Sequence, residues 1–187
     1  MKTIQKITYS ALFMSIGLVL PFVTGQLQQF GNMLLPMHFP VFLCSFICGW
    51  KYGILVGFLL PLFRSVLFSA PVMYPIAVGM SLELASYGFV AGFLYEKHPW
   101  KCLKSLYIAL ISAMIAGRFI WGAAQVVLLG ISGKAFTFEL FLAGALLNAV
   151  PGIILQLIVI PILMVSLRQT KPIFFQKKRE QNSHEGQ

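Results

Sequence analysis

Apolar residues gather in six long runs, at about residues 7–24, 34–50, 52–69, 72–95, 104–130 and 138–167. A helix rises about 1.5 Å per residue, so some 20 residues cross the hydrocarbon core of a bilayer. Most of the runs are long enough, and the pattern predicts six transmembrane helices. The second is the weakest. Pro36 and Pro40 interrupt its start, so its regular helix is expected only from near Pro40. Trp50-Lys51-Tyr52 reads as a minimal turn into the third run. Pro61 in the third run and Pro151 and Pro161 in the sixth predict loosened turns. Membrane helices tolerate these where neighbours satisfy the freed carbonyls. Lys2 and Lys6 precede the first run as they would in a signal peptide. That run continues to about Thr24 with no small-x-small cleavage pattern, so it reads as the first transmembrane helix. No repeat, low-complexity tract or soluble domain interrupts residues 1–168, and 169–187 form a short polar tail.

Composition makes lipid the solvent. Of the 187 residues, 58% are hydrophobic and 10% charged, with a mean hydropathy of +0.84. Soluble domains are about 45–50% apolar and about 25% charged. A soluble chain of this length could not bury so much apolar surface in one core. The pI of 9.7 does not point to nucleic acid, because the basic residues lie between apolar runs and at the C-terminus. With six spans both termini share one side. On that side fall Lys2, Lys6, Lys51, Lys97, Lys101, Lys104, Arg168, Lys171, Lys177, Lys178 and Arg179, 11 of the 14 basic residues. Only Arg64, Arg118 and Lys134 do not. The positive-inside rule therefore makes both termini, and the tail, cytoplasmic. Three cysteines without a CxxC pair offer no disulfide framework, and Cys44 and Cys48 read as small apolar packing residues.

Topology assigns a depth to each polar residue. If the fourth span enters from outside near Val72, Glu83 is 11 residues in, about 16 Å along the helix. Arg118 lies 12 residues from the outer end of span five near Gly130, about 18 Å. Asn148 lies 10 residues into span six from Phe138, about 15 Å. An ionised side chain at mid-membrane costs about 3 kcal/mol on insertion scales. Two such costs on neighbouring helices are best explained by convergence on one interior site. Glu83 and Arg118 could simply pair and tie spans four and five together. Their neighbours favour a pocket instead. Trp121 and Gln125 follow Arg118 on its helix face, and Tyr87 follows Glu83 at i+4. Gly144 and Gly152 leave space beside Asn148. Together these suit a small polar molecule.

The external connections fit a lid. Residues 24–35, "TGQLQQFGNMLL", carry Gln26, Gln28, Gln29 and Asn32 but no charge, and are long for a helical hairpin. "SAPVMYP" supplies Tyr74, "GISGKAFTFE" supplies Lys134, and His38 sits at the outer mouth. Arg64 is expected to snorkel to the outer interface. The chain has no Walker motif, no H-E-x-x-H, no nucleophile elbow and no Asp at all. Metal chemistry has little to stand on with three scattered histidines. The inner halves of the spans are nearly uncharged apart from Gln156, which argues against a channel. The distribution suggests a cup open to the outside.

Six spans in just under two hundred residues resemble the substrate-binding S component of energy-coupling factor (ECF) transporters. In the first helix, "ITYSALFMSIGLVLPF", the Ala11-x3-Ser15 pair looks like the family's Ala-x3-Ala contact with the coupling subunit, with serine in place of the second alanine. "LLPMHFPVFLCSFICGWKYGILVGFLLPLFRSVLF" is similar to the second and third helices, with a Gly-x-x-x-Gly turn region at Gly49 and Gly53, and "YPIAVGMSLELASYGFVAGFLYEK" to the fourth. The resemblance implies an all-α membrane protein of the bacterial plasma membrane, a six-helix substrate-binding bundle rather than an enzyme. It implies a ligand held near the outer surface by helices four to six under the first loop. Glu83, Arg118 and Asn148 match that site by helix and depth, with Trp121, Gln125, Tyr87, Tyr74 and His38 around them. It also implies a coupling transmembrane subunit and two ATPase subunits as partners. ATP would bind those partners, and no cofactor is expected on this chain. The substrate expected is a vitamin or vitamin precursor: pantothenate first, because guanidinium recognises carboxylate, then a pyridoxine or hydroxymethylpyrimidine compound stacked on Trp121 or Tyr87, then riboflavin. A stand-alone secondary transporter using Glu83 as a proton site and a structural assembly subunit remain as alternatives.

Overall fold

The computed structural model describes residues 2–25, 36–98, 103–131 and 150–170. Among these residues the chain is helical throughout. Its helices are α1 (Thr3–Gly25), α2 (His38–Cys48), α3 (Trp50–Phe68), α4 (Val78–Lys97), α5 (Leu103–Ile131) and α6 (Val150–Thr170). Five of them, counting the turn that leads into α4, are long and apolar enough to cross a membrane. The exception is α2. Its 11 residues span only about 16 Å. It starts at His38, just after Pro36 and with Pro40 accommodated in its first turn, and Gly49 ends it. Gly49 has φ 102°, a backbone conformation that suits glycine. The tight turn into α3 follows at once.

The fourth span starts at Met73, where its hydropathy places it, but its first residues are not α-helical. Pro71 and Pro75 keep the first residues out of regular helix, and Met73–Ala77 forms a π-type turn in which Tyr74 is extended. The α-helix begins at Val78, so Glu83 lies five residues, about 8 Å, inside it. For the sixth span, residues 138–149 lie outside the described residues, as do the first external loop (26–35) and the tail beyond Thr170.

The tightest seam joins α3 to α4, and glycine makes it. A Cβ at Gly57 would overlap the Leu84 carbonyl, and one at Gly88 would overlap the Gly53 backbone. Only hydrogen at these positions lets the two backbones touch. Ser45 of α2 donates its hydroxyl to the Gly88 carbonyl at 2.5 Å, which binds a third helix to the seam. Within α4 the hydroxyls of Ser81 and Ser86 donate to the carbonyls of Val78 and Glu83, at 2.8 and 2.6 Å. They thus need no water inside the bilayer.

The core lies where α2 meets α3, α4 and α6, and it includes Phe42, Phe46, Leu60, Leu84, Tyr87, Tyr95 and Ile160. Towards the end of α3, Arg64 finds two partners. Its Nε donates to the Ala70 carbonyl at 3.1 Å, and its guanidinium lies 5.5 Å from the centre of the Phe22 ring on α1. Substitution Gly88→Leu is expected to force the α3–α4 seam apart. Overpacking of this kind costs about 1–3 kcal/mol, to be read as a lowered unfolding midpoint of the purified protein in detergent, whereas Leu at exposed Phe89 should leave the midpoint in place.

Candidate functional site

The α3–α4 seam uses one face of α4 and turns another toward α5 and α2, and on that face stand Glu83 and Tyr87. Glu83 is 2% exposed. Its Oε1 receives Arg118 Nη1 of α5 at 2.9 Å and the Tyr87 hydroxyl at 2.7 Å. The His38 ring of α2 stands beside the same oxygen, with Nε2 at 3.9 Å, too far for a hydrogen bond. One carboxylate oxygen is thus the meeting point of three helices.

Tyr87 can reach it because α5 makes room. A Cβ at Gly117 would fall on the Tyr87 ring. On its other sides the ring is stacked on Phe42, with centroids 5.2 Å apart, and tilted against His38 at 5.1 Å. Gly117 precedes Arg118 in sequence, so the residue that clears the space for the tyrosine sits beside the one that shares its carboxylate. Sequence reasoning passed over Gly117, and glycine inside an apolar helix gave little signal by itself.

The pairing leaves polar atoms over. Arg118 Nε and Nη2, both ring nitrogens of His38 and the Gln156 Nε2 of α6 are buried without a hydrogen-bond partner among the described residues. In hydrocarbon such groups are costly, about 1–3 kcal/mol each and more when charged. α6 packs against both α2 and α5, the helices that carry the other atoms.

The other expected site residues fall as follows. Gln125 is buried on α5, in the α4–α5 seam outward from the ion pair, where the absence of a side chain at Gly79 accommodates its amide. Tyr74 donates its hydroxyl to the Leu128 carbonyl at 2.5 Å, and so bridges the turn before α4 to the outer end of α5. Trp121 is half-buried on the same helix. Asn148 lies outside the described residues, as does Lys134. Ala11 and Ser15 are exposed on α1, away from this cluster, and the Ser15 hydroxyl donates to the Ala11 carbonyl at 3.0 Å. The serine therefore presents a small surface with its polar group satisfied, close to what alanine would give.

The family described as ECF transporter, substrate-specific component, matches residues 5–164. The chain belongs to that family. No curated protein and no solved structure matches it. As an ECF substrate-specific component it is a multi-pass membrane protein and a transporter subunit. Membership implies association with coupling and ATPase subunits and a small-molecule substrate. The buried ion pair of this S component yields a test of its structural weight. Arg118→Ala strands Glu83 in a dry interior and is expected to destabilise the fold by about 3–5 kcal/mol. The double substitution Glu83→Gln with Arg118→Gln removes both charges and should recover most of that loss, as measured by equilibrium unfolding in mixed micelles.

Proposed function

We propose that this S component captures a vitamin or vitamin precursor, pantothenate first among them, outside the bacterial plasma membrane for ATP-driven import. The observation that carries the reading is the pair of side chains beside Glu83, Arg118 and His38, whose buried polar atoms include several with no hydrogen-bond partner among the described residues. A strut needs only the pair; the surplus donors suit a guest. Pantothenate offers a carboxylate, an amide and hydroxyls for Arg118, Gln125 and Asn148. A pyridoxine-like ring stacked on Tyr87 is less well supported, because Phe42, His38 and Gly117 already crowd that ring.

Entry is from the outer side, where Tyr74 ties the turn before α4 to α5. Transport needs the coupling subunit, docked on the small face of Ala11 and Ser15, and two ATPase subunits that bind the ATP. This chain carries no cofactor and no catalytic group. Labelled pantothenate is expected to accumulate in sealed vesicles only when the chain is present with those partners and ATP. Accumulation driven by a proton gradient in vesicles holding this chain alone would instead support a secondary transporter working through Glu83.

A further inference from the structure

The guanidinium of Arg118 is used on one side only. Nη1 carries the bond to Glu83 Oε1 at 2.9 Å, while Nε and Nη2 are buried and have no hydrogen-bond partner among the described residues. These two nitrogens lie on one edge of the planar group, and their N–H bonds run nearly parallel. That edge matches the two oxygens of a carboxylate, which accept from it side by side. The opposite end is fixed: Glu83 is held by Tyr87 at 2.7 Å, and Tyr87 is wedged between Phe42, His38 and Gly117. Arg118 therefore presents a fork whose direction is set before any ligand arrives, which limits the ordering cost of binding.

We infer that the substrate is a carboxylic acid in its ionised form, bound by the Nε/Nη2 edge of Arg118, and that Glu83 and Tyr87 are positioning residues that do not touch it. Among the described residues His38, beside Glu83, has no hydrogen-bond partner on either ring nitrogen, and there it serves a hydroxyl or carbonyl of the ligand. This inference rests on the vitamin-capture reading above and narrows it to a chemical class. A neutral analogue brings no charge and no matched pair of oxygens, so it meets the fork less well than a carboxylate does.

Calorimetry on the purified full chain in detergent, with matched acid and neutral probes, tests it. The pairs are pantothenate with pantothenol, biotin with biotinamide, and nicotinate with nicotinamide; pyridoxine and riboflavin complete the set. One acid is expected to bind about 100-fold or more tightly than its neutral partner. Arg118→Lys keeps the charge but loses the fork, and should abolish most of that preference. Glu83→Gln still accepts from Nη1 and should retain it. Equal binding of an acid and its neutral partner, or tight binding of pyridoxine or riboflavin, overturns the carboxylate assignment and leaves vitamin capture standing. A Glu83→Gln protein that keeps a cooperative unfolding transition in detergent yet loses acid and neutral probe alike overturns the positioning role. If none of the eight compounds binds, the vitamin reading fails together with the inference.

Discussion

A single carboxylate oxygen deep between helices organises this molecule. An ionised group in the bilayer interior costs about 3 kcal/mol or more when alone, so Glu83 and Arg118 are tolerable only in each other's company. Their 2.9 Å contact therefore constrains everything near it. It fixes how far α4 and α5 can slide past each other and which faces they turn inward. The glycines follow from the same demand. Gly57 and Gly88 let α3 press on the far side of α4, and Gly117 lets the Tyr87 ring lie against α5 while its hydroxyl serves Glu83. Removal of the side chain at each contact brings the backbones close enough for one short polar bond to close.

The pair is lopsided. Among the described residues Glu83 Oε1 accepts two bonds, whereas Arg118 spends one of its nitrogens and keeps an edge in reserve. A structural strut would be expected to use the fork on the carboxylate, since two parallel bonds hold better than one. Reserved donors in a dry interior make sense as a receptor for a guest that brings its own acceptors. The remaining surface agrees with a subunit that works in company. The outer face of α1 is apolar and exposed from Ile4 through Phe22, with the small Ala11 and Ser15 in its middle, which is suitable for close approach by another membrane helix.

Much of this was legible in the linear pattern. Hydropathy separated the spans, and the count of lysines and arginines between them oriented the chain. Depth reckoning from Val72 brings Glu83 and Arg118 to one level, and the membrane-length segment does begin at Met73, although regular α-helix waits until Val78. The turn at Met73–Ala77 already lies against α5, as the Tyr74 bond to Leu128 records. Three things were not legible. The shortness of α2, which brings the His38 ring down beside Glu83, depends on Pro36 and Gly49 acting together. The clearance at Gly117 is a contact between helices distant in sequence, and periodicity within one helix carries no trace of it. The division of the guanidinium into a used and a reserved side is a matter of atoms, below the resolution of any residue pattern.

The measurement that bears most directly on the central claim is an experimental structure of the ligand-bound protein in a lipid nanodisc. The expected result has ligand carboxylate oxygens about 2.7–2.9 Å from Arg118 Nε and Nη2, with Nη1 still on Glu83. A ligand seated directly on Glu83, or an Arg118 that abandons the carboxylate and turns toward lipid, would contradict it.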